Sequence, residues 1–121
     1  MVLVIDDEET LRDVVGEILA LFNLSSIAAG NGHDGIALFK EHQDEIDLIL
    51  LDMHMPVLSG HATLRTLREL DSAIKIILMS GYPESSAMAE FRGDAHLSYL
   101  AKPFTLEKLT NKISEILGPL G

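Results

Sequence analysis

Cysteine is missing from this 121-residue chain, which removes disulfides, thiolate metal sites and cysteine nucleophiles together. Basic residues are scarce: 9 Lys and Arg stand against 19 Asp and Glu, a formal net charge of -10. So acidic a surface cannot neutralise phosphate backbones, and nucleic acid is not expected as a direct partner. No apolar run approaches the roughly 20 residues of a membrane span, and no charged-then-apolar signal segment opens the chain. Internal repeats, linkers and low-complexity stretches are also absent. What remains is a single compact domain over residues 1–121, long enough to bury a real core. Its expected location is cytoplasmic, without membrane contact of its own.

Against these absences stand five short apolar runs: Val2–Ile5, Ser26–Ala29, Asp47–Leu51, Ile74–Met79 and Leu97–Leu100. The first, third and fourth are nearly continuous Val, Ile and Leu, as in strands buried on both faces. Helical spacing separates the runs. Leu11, Val14, Val15, Ile18, Leu19 and Phe22 share one stripe, with Arg12, Asp13 and Glu17 off it. Leu106, Leu109, Ile113, Ile116 and Leu117 repeat the pattern near the end, with Thr105 as N-cap and Gly118–Pro119 as the stop. "DGIALFKEH" and "HATLRTLREL" are helical by the same spacing, whereas "ESSAMAEFRG" is short and poor in apolar residues. Strand alternating with helix predicts an α/β fold, a doubly wound five-stranded parallel sheet with helices on both faces.

Parallel sheets of this kind carry their functional groups just beyond the carboxyl ends of the strands. That rule gathers Asp6 and Asp7, Asp52, Ser80 and Gly81, and Lys102 and Pro103 at one edge. Crowded carboxylates raise one another's pKa and cost stability. A divalent cation removes the conflict, and oxygen-only ligands select Mg²⁺, or Mn²⁺. The turn "DDEET" would repel a phosphate unless such a metal intervened, so direct nucleotide binding through a Gly-rich turn is disfavoured. Asp52 can then act as a nucleophile and become an aspartyl phosphate, with Mg²⁺ on one side and Lys102 on the other. The Ser80 hydroxyl is placed to bond an attached phosphoryl oxygen.

The pieces "VLVIDDE", "LILLDMHMPVLSG", "IILMSGY" and "YLAKPFTLEKL" resemble the receiver domain of two-component response regulators, in that family's order and spacing. The resemblance covers essentially the whole chain. It implies a flavodoxin-like sheet of strand order 2-1-3-4-5, with Asp52 as phosphoacceptor and Lys102 as the essential ion-pairing lysine. It also implies Asp7 as a direct Mg²⁺ ligand, Asp6 as a ligand mainly through water, and the backbone carbonyl of His54 as a further one. Ser80 becomes the switch hydroxyl and Tyr99 the aromatic switch, turning inward when Ser80 moves toward the phosphoryl group. His54 and Tyr82 fall where family members control the approach of water, and are expected to tune dephosphorylation. A cis Lys102–Pro103 bond is expected too.

The implied partners are a histidine kinase or a histidine phosphotransfer protein, with a homodimer through the face of the fourth helix, fifth strand and fifth helix as a further expectation. No external-substrate enzyme is implied, only Mg²⁺-dependent phosphorylation and dephosphorylation of the domain itself. Two alternatives remain: an interaction module of the same fold that is never phosphorylated, and a metal-dependent phosphatase. "DMH" lacks the second acid of the D-x-D pattern used by phosphatases with an aspartyl intermediate. The five histidines, His33, His42, His54, His61 and His96, lack the spacing of a zinc site and read as surface or loop residues. No output domain is recognised in residues 1–121, which fits either a stand-alone receiver or one belonging to a hybrid histidine kinase.

Overall fold

Residues 1–120 are described by the computed structural model. Five strands, β1 (Val2–Ile5), β2 (Ser26–Ala29), β3 (Leu48–Asp52), β4 (Lys75–Ser80) and β5 (Leu97–Ala101), alternate with five helices. These are α1 (Glu9–Leu21), α2 (Gly32–Glu41), α3 (Gly60–Leu70), α4 (Glu84–Ala87) and α5 (Leu106–Leu117). All strand pairings are parallel, in the order β2-β1-β3-β4-β5. The predicted fold is the observed one, and it follows from burial. β1, β3 and most of β4 are covered on both sides, so their side chains are apolar on both faces rather than in alternate positions, up to Asp52 and Ser80 at the strand ends.

Alternation along each strand divides the core in two. Leu3, Ile5, Ile49, Leu51, Ile76 and Leu78 face α2, α3 and α4. Val2, Val4, Leu48, Leu50, Ile77 and Met79 face Val15 and Leu19 of α1 and Leu109 and Ile113 of α5. Thr105 caps α5 by accepting the Lys108 N–H at 3.1 Å, and Gly118 closes it. Two residues of the predicted stripes depart from the core. Val14 is 46% and Leu106 53% exposed. Val14 lies about 140° around the helix from Leu19, at the far edge of the stripe. Leu106 opens α5 before that helix comes to lie over the sheet. Strand limits also shift, since exposed Asp47 stays outside β3 and β4 begins at Lys75 rather than Ile74.

The "ESSAMAEFRG" segment forms a single turn of α4 followed by a 3-10 turn at Ala89–Phe91. Its own apolar content is too small to hold it, and α3 supplies the hold. At positions i, i+4 and i+7 of α3, His61 Nε2 meets the Ala87 carbonyl at 2.8 Å, Arg65 pairs with Glu90, and Arg68 pairs with Asp94 at 2.7 Å. Arg68 also donates to the carbonyls of Ile74 and His96, which ties the entries of β4 and β5 to the end of α3.

Candidate phosphoryl and metal site

Register brings the acids together. Ile5 pairs with Leu51 across β1 and β3, so the next residue on each chain, Asp6 and Asp52, emerges side by side. Both point to the α1/α5 side, in phase with Val4 and Leu50. Met79 pairs with Leu100 and Ser80 with Ala101, and the Lys102 N–H donates to the Ser80 carbonyl at 2.8 Å. The Lys102–Pro103 bond that follows is cis, as expected.

One carboxylate oxygen each from Asp6, Asp7 and Asp52 lies within 4.8 Å of the other two. Asp6 is 0% and Asp52 1% exposed, while Asp7 opens to solvent. The Lys102 ammonium donates to Asp6 Oδ2 at 2.9 Å and sits 3.2 Å from Asp52 Oδ1. Two backbone donors finish the frame: Glu8 N–H to Asp6 Oδ1 at 2.9 Å and His54 N–H to Asp52 Oδ1 at 3.2 Å. Burial, and then the charge of Asp6, push the Asp52 carboxyl above its ordinary value against the opposing pull of the His54 N–H and Lys102. Burial pulls the Lys102 ammonium down, yet its hydrogen bond to Asp6 and the charges of Asp6 and Asp52 carry it above its ordinary value.

Three carboxylates against one ammonium leave this group two negative charges in excess, the charge of one divalent cation. The donors are all hard oxygens, the preference of Mg²⁺. An octahedral Mg²⁺ with bonds of about 2.1 Å separates opposite ligands by about 4.2 Å. A spread of 4.8 Å is one small side-chain adjustment, or one bridging water, away from that. The residues therefore fit the ion. Among the described residues no other group of three or more His, Asp or Glu gathers in this way, and no histidine takes part.

Around this centre the remaining candidates form a second cluster. Ser80, fully buried, accepts the Tyr82 N–H at 2.9 Å, and its Oγ lies 3.2 Å from His54 Nε2. The His54 and Tyr82 rings meet edge to face at 4.7 Å. Tyr99 bonds the Tyr82 carbonyl and reaches the Ser80 carbonyl at 3.4 Å. Its hydroxyl thus reaches over the loop between β4 and α4. His54 engages Asp52 through its N–H and Ser80 through its ring.

Two contributions escaped the sequence reading. Gly60 packs against the backbone after β3, where a Cβ would stand 2.4 Å from both the Asp52 carbonyl oxygen and Met53 Cα. Gly60→Ala is therefore expected to destabilise the protein by about 2 kcal/mol, seen as a lower urea midpoint, with Mg²⁺ uptake weakened because Asp52 moves. Arg12, which falls off the apolar stripe of α1, reaches the Asp6 carbonyl.

A family model described as the response regulator receiver domain matches residues 2–114. Sensor kinase CckA of Brucella abortus is 32% identical over 118 residues, 96% of this chain but 12% of that protein's length. Sporulation initiation phosphotransferase F of Bacillus subtilis is 26% identical over 116 residues, 96% of this chain and 92% of that protein. A response regulator receiver domain protein from Clostridium thermocellum superposes with a TM-score of 0.87 at 28% identity, over 96% of this chain and 92% of that one.

Proposed function

This chain belongs to the response regulator receiver domain family of two-component signalling, and from that membership we propose that Asp52 is its phosphoacceptor. The donor is a phosphohistidine on a histidine kinase or a histidine phosphotransfer protein. An Asp52 carboxylate oxygen forms the new P–O bond while the P–N bond of the donor breaks, and the departing imidazole keeps the electron pair and takes up a proton from solvent. The observation that carries the reading is a buried Asp52 that lies 3.2 Å from the Lys102 ammonium and is grouped with the acids Asp6 and Asp7.

Asp7 and Asp52 would hold Mg²⁺ directly, with Asp6 acting through water and the His54 carbonyl as a further ligand. When bound, the ion neutralises charge on the phosphoryl oxygens during transfer. Lys102 does the same from the other side, and its link to Asp6 keeps it in reach. Ser80 has one hydroxyl proton. Given to a phosphoryl oxygen, it leaves Ser80 Oγ only as an acceptor toward His54 Nε2, so modification of Asp52 commits that pair to one direction. Tyr99, tied to the carbonyls of Ser80 and Tyr82, would register that change and bias the face of α4, β5 and α5 toward a partner or a second copy. His54 and Tyr82, covering Ser80, would control the access of water and so the phosphoryl lifetime.

Incubation with acetyl phosphate and Mg²⁺, followed by intact mass measurement, tests this reading. One added phosphoryl group is expected, and none when the metal is chelated. An unchanged mass under both conditions would leave an interaction module of the same fold. Steady release of inorganic phosphate from other phosphoesters would point to a phosphatase instead. The likeness to part of a sensor kinase supports a hybrid kinase as the parent of this receiver unit, which makes kinase activity a property of the longer protein.

A further inference from the structure

Arg12 is half-buried although it lies off the apolar stripe of α1. Its Nη1 donates to the main-chain carbonyl of Asp6 at 2.7 Å. The same guanidinium rests on Gly30 at the end of β2, where a Cβ would stand 3.2 Å from Nη1. The Asp6 N–H is held by the Ala29 carbonyl at 3.1 Å. One side chain on the first turn of α1 thus braces the ends of two neighbouring strands.

The acceptor matters more than the contact. The Asp6 carbonyl belongs to the planar peptide group that joins Asp6 to Asp7. Fixing its oxygen fixes the rotation of that plane, and so the directions in which both side chains leave the backbone. Asp6 has further anchors in Glu8 N–H and Lys102. Asp7 is exposed, so its aim depends on the plane itself. A planar, always charged guanidinium packed on a glycine is well suited to hold one orientation.

We propose that Arg12 is a positioning residue for the divalent cation site, turning the Asp6–Asp7 peptide so that both carboxylates converge with Asp52; the inference rests on the Mg²⁺-dependent reading above. Charge and orientation make opposite predictions here. A cation this close repels Mg²⁺, so removing it for its charge alone tightens binding. Removing it as a brace loosens binding, by on the order of tenfold, as for other residues that orient metal ligands.

Calorimetric titration of Mg²⁺ into the wild-type chain, Arg12→Ala, Arg12→Lys and Gly30→Ala separates these cases. Arg12→Ala is expected to raise the Mg²⁺ dissociation constant about tenfold, with Arg12→Lys recovering part of the loss. Gly30→Ala, whose Cβ would press the guanidinium aside by a few tenths of an ångström without altering α1, is expected to move the constant by a smaller amount in the same direction and to serve if Arg12→Ala does not fold. Phosphorylation by acetyl phosphate should fall at limiting Mg²⁺ and return toward the wild-type rate at saturation. A purely structural role would lower the melting midpoint without that split. Wild-type or tighter Mg²⁺ binding by Arg12→Ala, or by Gly30→Ala, overturns the inference alone. No Mg²⁺ uptake by the wild-type chain overturns the reading of the site and the inference with it.

Discussion

Asp52→Asn should abolish phosphorylation and, at the same time, make the metal-free protein more stable. Loss of the nucleophile removes the mass gain with acetyl phosphate. The stability gain follows from the raised pKa of Asp52, caused first by burial and then by Asp6. A carboxyl whose folded pKa lies above the unfolded 3.8 favours folding most while it is protonated. That contribution is complete below the unfolded value and is lost as pH rises through the folded one, because only the unfolded chain has released its proton in between. Above the folded value the wild-type protein therefore carries an ionised Asp52 at a cost that the amide does not bear. The melting midpoint of the variant is expected to lie above that of the wild type in chelator. The gap between variant and wild type should widen as pH rises from the unfolded value through the folded one and then level off. Mg²⁺ should narrow it by stabilising the wild type more than the variant. Thermal melts at several pH values, with chelator and with Mg²⁺, measure each part. Equal midpoints throughout would mean that the acids do not repel one another as their geometry requires.

Lys102→Met works in the opposite direction and more strongly. The ammonium is the counter-charge of two buried carboxylates, 2.9 Å from Asp6 and 3.2 Å from Asp52. Removing it leaves both acids buried without a counter-charge, a change that costs about 3 kcal/mol or more. Methionine keeps much of the side-chain volume, which assigns the loss to charge rather than to a cavity. Mg²⁺ should recover a large part of the stability, since it can take over the neutralising role. The deficit should also shrink at acidic pH, where protonated carboxylates need no counter-charge. In the wild type, the contribution of Lys102 is complete below its unfolded pKa of 10.5 and is lost as pH climbs through the higher folded value. Urea denaturation with chelator and with Mg²⁺ gives the comparison. A variant as stable as the wild type in chelator would show that Lys102 is no more than a surface cation.

Asp6, Asp52, Ser80 and Lys102 could be read from the chain because each follows an apolar run, and parallel strands bring their carboxyl ends to one edge whatever lies between them. Identity and position were enough to place these groups together at that edge. The stripe of α1 could be read in the same way, but its width could not: periodicity gives the direction of a face, not how far the sheet beneath it extends. Val14 is exposed for that reason.

What the sequence determined alone is therefore the alternation of elements, the apolar strands and the group of acids with one lysine, since these depend on local spacing and residue type. The tertiary structure decided the pairings that join distant elements: His54 with Ser80, Tyr99 with the Tyr82 carbonyl, Arg12 with the Asp6 carbonyl, and the α3 side chains that hold α4. A polar side chain at a helix surface carries no local sign of whether it will meet water or a backbone carbonyl. That choice depends on which elements pack beside it, and it is made only when the chain has folded.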